Sequence, residues 1–154
     1  MIVVSDTTPI HYLILTGYAD VLPQLYGSLV IPTAVHLELT HLCAPESVRQ
    51  WMSQRRDWLE IWEADTIPDS LVILDRGEQE AITLAMRFNA LLLIDERRGR
   101  SLANAHGLSI TGTLGVLIEA ANAQMISLPE AVSKLRQTSF QISERLLEMV
   151  LGLH

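Results

Sequence analysis

Four carboxylates stand where their charge could do chemistry: Asp6, Glu38, Glu78 and Asp95. Asp6 follows the apolar run Ile2–Val4, and Asp95 ends the apolar run Leu91–Ile94. In open parallel sheets, ligands bind at the carboxyl ends of strands. Glu38 has Ala34, Val35, His41 and Leu42 as its i±3 and i±4 neighbours, a mostly apolar face that is buried or opens on a cleft. Glu78 heads a stripe of Ala81, Ile82 and Ala85, whereas Glu80 is expected to face solvent. Each acid also has an ordinary reading. Asp6 could form an Asx-turn or a cap, Asp95 a cap, and Glu38 part of a solvated face, while Asp75 and Glu78 have the spacing of a capping box.

Taken together the four are less ordinary. Converging carboxylates repel and force some to protonate. Two Mg²⁺ or Mn²⁺ ions would remove that cost, and oxygen-only ligation suits such hard cations. A pair of ions about 4 Å apart activates a water and stabilises both the entering and leaving oxygens of a phosphodiester. Arg97, Arg98 and Arg100 would then offer the phosphate backbone a positive rim, or simply form a solvated helix start.

The elements that position these acids alternate. Ile2–Val4 reads as a strand buried on both faces, and Thr8-Pro9 as N-cap and first position of a helix to about Leu15, stopped by Gly17. Ala19–Leu25 reads as a short helical turn and Leu29–Ile31 as a strand, with helices from Pro32 to about His41 and from Pro45 to about Arg56. Trp58–Trp62 fits an edge strand, and the clearest helix is Gly77–Phe88. Strand Leu91–Ile94, helix Arg98–Ala105, strand Leu108–Ile110 and helices Leu114–Ala123, Pro129–Gln137 and one from Ser143 complete the chain. Such alternation predicts one α/β domain over residues 1–154, with a mostly parallel sheet between helices.

At 49% apolar and 19% charged, the chain is not disordered, and its apolar runs are too short to span a bilayer. A single cysteine, Cys43, rules out an intramolecular disulfide, and no signal-like segment opens the chain, so a cytoplasmic protein is expected. Eighteen acidic against eleven basic residues leave a net charge of −7, poor for holding nucleic acid through phosphate contacts alone. Either the partner is not a polyanion, or some of the acids serve to hold cations.

Four segments carry a resemblance: Val-Val-Ser-Asp6-Thr-Thr-Pro-Ile, Ile-Pro-Thr-Ala-Val-His-Leu-Glu38-Leu, Leu-Asp-Arg-Gly-Glu78-Gln-Glu-Ala-Ile, and Leu-Leu-Leu-Ile-Asp95-Glu-Arg-Arg-Gly-Arg. With the later Ile-Thr-Gly112-Thr-Leu-Gly-Val-Leu, they make the chain resemble PIN-domain proteins from end to end. It is most similar to an uncharacterised branch often found beside small antitoxins, and so to VapC-type toxins. The resemblance implies a five-stranded parallel sheet in a three-layer α/β/α sandwich, a metal-dependent ribonuclease, and metal and catalytic roles for Asp6, Glu38, Glu78 and Asp95. It also implies an RNA substrate, an antitoxin partner and a homodimer. Many relatives have a hydroxyl residue two positions before the last aspartate, where this chain has Leu93; Thr7, Thr8 or Thr113 could supply one instead.

Other chemistries fit less well. A haloacid dehalogenase-type phosphatase would want aspartate at the position of Thr8, and the histidines are too scattered for zinc. The rival of a different class is a PIN-like module that binds a protein or RNA without cutting. For a partner surface, Ala19–Leu25 and Val48–Met52, with Tyr26 and Trp51 near, are the candidates, unless these segments complete the core.

Overall fold

Val3 and Val4 are adjacent in the chain yet are buried in two different cores. The computed structural model describes residues 1–152 and places both on β1 (Val3–Ser5), the middle strand of a five-stranded sheet. Its partners are β2 (Leu29–Pro32), β3 (Leu59–Trp62), β4 (Leu91–Leu93) and β5 (Ile110–Thr111), in the order β3-β2-β1-β4-β5 and all parallel. Successive side chains of a strand alternate between faces, so a sheet covered on both sides needs continuous apolar runs. Val3 and Leu93 serve one core, Val4 and Leu92 the other.

Helices cover both faces. The first core takes side chains from α1 (Thr7–Thr16), α2 (Val21–Tyr26), α3 (Thr33–Thr40), α4 (Glu46–Ser53), α7 (Thr113–Asn122) and α8 (Leu128–Arg136). The second takes them from a 3₁₀ turn at Asp69–Leu71, from α5 (Arg76–Phe88) and from α6 (Arg97–Ala105). The last helix, α9 (Glu144–Leu151), buries Leu147. Among the described residues no helix is long and apolar enough to cross a membrane.

From β1 the chain first builds outwards to β2 and β3, then returns to place β4 on the other side of β1. The crevice between the carboxyl ends of β1 and β4 is therefore the topological switch point, the ligand-binding location of such sheets. Asp6 is fixed at its lip, because its backbone N–H donates to the Leu93 carbonyl at 2.9 Å.

The predicted elements recur with shifted ends. Helix α1 starts two residues before Pro9, with Asp6 rather than Thr8 in the N-cap position. A proline in the first helical turn forfeits no hydrogen bond, so Pro9 is compatible with either start. Gly17, at φ 84°, ends α1 as expected, its N–H bonded to the Ile14 carbonyl. The last strand falls at Ile110–Thr111 rather than Leu108–Ile110, since Ile94 reaches past β4 to the Thr111 carbonyl. Ala19, Val21, Leu22 and Val48 lie in the first core, with Tyr26, Trp51 and Met52 packed against it, so the two segments offered as a partner surface complete the core instead.

Because both faces are dry, Leu92→Ala and Leu93→Ala should each cost about 2–5 kcal/mol in urea denaturation. A sheet open on one side would lose stability at only one of the two positions.

Candidate active site

Asp6 occupies the N-cap position of α1 but makes no side-chain capping bond, and is only 4% exposed. Its carboxylate is therefore buried without the duty that would make it an ordinary cap. Burial pushes its pKa up to about 7; the Thr7 N–H opposes this, and Asp75, Glu38 and Asp95 raise it further.

Glu38 comes to the same place from α3. A methyl group at Gly77, the second residue of α5, would sit 3.1 Å from Glu38 Oε1, 3.3 Å from Asp6 Oδ1 and 3.3 Å from Thr7 Oγ1. Three oxygens, two from the start of α1 and one from α3, thus converge on a position that lacks a side chain. Glu38 is exposed, as on a solvated face, and it also lines a cavity together with Thr7 and His11.

Glu78 is 5% exposed. Asp75 caps α5 by accepting from the Glu78 N–H at 2.9 Å, which is half of the expected capping box. The Glu78 side chain instead runs towards Gly99, and its Oε2 is buried with no partner. Desolvation raises the Glu78 pKa most, followed by Asp75, Asp6 and Glu96. Asp75 and Glu96 are thus members of the acidic cluster that the four-residue reading missed. Their signal was the cap spacing: Asp75 lies three residues before Glu78, and Glu96 lies three before Gly99, whose N–H it accepts at 2.8 Å.

Asp95 is not the cap of α6, a task that falls to Glu96. It accepts from the Thr113 N–H at 2.7 Å and from Thr113 Oγ1 at 2.6 Å, tying the end of β4 to the first turn of α7. Burial still raises its pKa, against the pull of Thr113 and Arg100. The fully buried Thr113 hydroxyl therefore serves Asp95, whereas Leu93 is core. Thr8 is half-buried at a cavity it shares with Asp95 and Glu96.

Arg97 and Arg98 are exposed beside the crevice, while Arg100 donates to the Ile94 carbonyl at 2.8 Å. Glu80 overturns its expectation. It is 7% exposed, accepts from the Ala34 N–H at 3.0 Å and from Arg76 at 2.6 Å, and so pins the start of α3 to α5. Its carboxylate holds in place the helix that carries Glu38.

Among the described residues, no three His, Cys, Asp or Glu side chains are gathered closely enough to hold one ion. The donor chemistry nevertheless suits a hard divalent cation. The groups are oxygens, Glu78 Oε2 and Thr7 Oγ1 are buried without partners, and the carboxylates raise one another's pKa.

A parallel α/β sheet with an acid-lined crevice at its switch point defines a class, and comparison supplies the family. The family model DUF3368, a PIN domain, matches residues 2–154, and the chain belongs to the PIN-domain family. Members of that family are generally nucleases that typically use divalent metals. Among solved structures, the fold is similar to a PilT N-terminus domain protein from the hyperthermophilic archaeon Sulfolobus solfataricus P2, with a TM-score of 0.53 and 15% identity over 93% of this chain and 100% of that one. None of the curated proteins matches the chain.

Two outcomes follow from the buried acids. A raised carboxylate pKa means that the folded state holds a proton the unfolded chain has released, so stability is full at low pH and is lost as pH rises through the folded value. In metal-free buffer, Asp6 should contribute a decline between about pH 4 and 7, and Asp6→Asn should remove that part of the slope in thermal melts. Glu80→Gln should lower stability by about 1–2 kcal/mol in urea denaturation, because a charge-assisted pair of bonds is lost from a buried site.

Proposed function

We propose that this protein is a Mg²⁺- or Mn²⁺-dependent endoribonuclease, the toxin of a toxin–antitoxin pair, acting in the cytoplasm as a homodimer restrained by a small antitoxin. The observation that carries the nuclease reading is Asp6: a buried, uncapped carboxylate at the switch point, pushed to about 7 and surrounded by further acids. Such a group is costly unless a cation neutralises it. Asp6, Glu38, Glu78 and Asp95 would hold the ions, which when bound supply an activated water and stabilise the phosphodiester oxygens.

The chain's own groups prepare the rest. Thr113 fixes the orientation of Asp95 through two hydrogen bonds. Burial above all raises the Glu78 pKa in the absence of a cation, and Asp75 and Glu96, which cap helices with one oxygen, raise it further. Arg97 and Arg98 are free to meet a phosphate on the α6 side, and Thr7 offers a hydroxyl beside Asp6. The dimer and the antitoxin rest on the family resemblance. Exposed apolar side chains for such partners include Ile61 on the edge strand β3, Val72, Ile73 and Met149.

A silent binding module is the second reading, favoured by the open spacing of the acids. One experiment separates the two. With Mg²⁺ or Mn²⁺ and a mixed RNA pool, the parent should cut, and Asp6→Asn should lose at least about a hundredfold in rate while keeping its circular dichroism spectrum. Glu78→Gln should behave similarly, and Glu130→Gln, exposed on α8, should cut as the parent does. The ions should also raise the melting temperature of the parent but not of Asp6→Asn. Undiminished cleavage by Asp6→Asn would remove the centre of the nuclease reading.

A further inference from the structure

The crevice has two unlike flanks. On the α6 side lie Arg97, Arg98 and Arg100. On the α1–α3 side Glu38 opens onto a cavity of about 440 Å³, lined by Thr7, His11, Leu37, Glu38, His41 and Cys43, with Ala44 and Pro45. Thr7 and Glu38 belong to both the cavity lining and the group of oxygens around Gly77, so the cavity adjoins the acids.

No Lys or Arg is among the residues lining this cavity. Arg49, outside the lining, donates from Nε to the Ala44 carbonyl at 3.1 Å. A strand crossing the crevice meets no cation here, on a chain whose net charge is already −7. What the cavity offers instead suits a base. Two imidazoles, His11 and His41, line it, and Leu37, 61% exposed, adds an apolar wall. Burial lowers the His11 pKa, which favours the neutral ring as a stacking surface. Glu38 puts a hydrogen-bond acceptor on the wall, and this open cavity has volume for a compact organic group. Bases of single-stranded RNA are held by stacking on aromatic side chains and by hydrogen bonds to their edges, beside backbone contacts that here would fall to the arginines of the α6 side.

We infer that the His11–Leu37–His41 cavity is a nucleobase subsite, which takes one unpaired base of a single-stranded RNA lying next to the acid cluster. The inference rests on the nuclease reading for its substrate class but not for its test. Binding is read without cleavage, by fluorescence anisotropy of a labelled RNA octamer in EDTA, against octamers with one abasic residue moved along the strand.

One abasic position should weaken binding about tenfold or more, while the others change it little. Leu37→Ala, on an exposed side chain, and His11→Ala should each weaken binding of the intact octamer several-fold. Neither should further weaken the octamer that lacks the critical base, and that non-additivity distinguishes a contact with the base from a general loss of structure. Equal effects at every abasic position, or equal losses on intact and abasic strands, would overturn the subsite and leave the nuclease reading standing. The expected binding pattern without any cleavage in Mg²⁺ or Mn²⁺ would do the reverse. Failure to bind any octamer would overturn the subsite, and cleavage in Mg²⁺ or Mn²⁺ decides the nuclease reading separately.

Discussion

The buried negative charge of Asp6 is the constraint on which the rest of this structure depends. A carboxylate that is 4% exposed loses most of its hydration, and here the Thr7 N–H offsets only part of the loss, with no capping bond deeper in α1. The fold nonetheless places Glu38, Asp75, Glu78 and Asp95 around it, which a structure selected for stability alone would avoid. Protonation relieves the repulsion in the free protein, and a divalent cation would relieve it while keeping the oxygens available. Local cost at a switch-point crevice is the pattern expected of a functional site embedded in an otherwise consistent fold.

Much of that fold was legible because its signals are strong. Runs such as Ile2–Val4 and Leu91–Ile94 are apolar throughout, which only a sheet covered on both faces can bury, and the strands they mark lie side by side at its centre. Proline and glycine punctuation placed the helices within a few residues. Boundaries slipped where side-chain pattern and backbone pairing diverge. At Leu108–Ile110 the apolar pattern begins before the hydrogen bonds do, and β5 is defined by its pairing to Leu92 and Leu93.

The site was legible as a set of positions rather than as a geometry. Asp6 and Asp95 follow from strand ends. Glu80 could not be read in the same way, because periodicity gives the direction of a side chain along its own helix but not what stands opposite. The i+2 offset from Glu78 turns Glu80 away from the crevice, yet it meets the N-terminus of α3 and Arg76 rather than water. Asp75 and Glu96 were hidden by the reverse error. A cap explains one oxygen, and the second oxygen and the charge remain available to the cluster.

The acids also explain three glycines that no backbone torsion demands. Gly77 faces Glu38, Asp6 and Thr7 within 3.3 Å of where a side chain would begin. Gly99 would place a methyl group 2.6 Å from Glu78 Oε2, and Gly112 would place one 2.5 Å from Asp95 Oδ1. None of the three has a positive φ, so their role is clearance rather than conformational freedom. A side chain at Gly77 would crowd the point where Asp6 and Glu38 converge. One at Gly99 would displace Glu78 or Ile94, and one at Gly112 would force Asp95 off Thr113. Each acid therefore comes with a nearby position kept empty for it, on a different element of the chain. That pairing ties Gly77 and Gly99 to the packing of α5 and α6, and Gly112 to the start of α7, so the crevice is shaped by residues that carry no charge as much as by those that do.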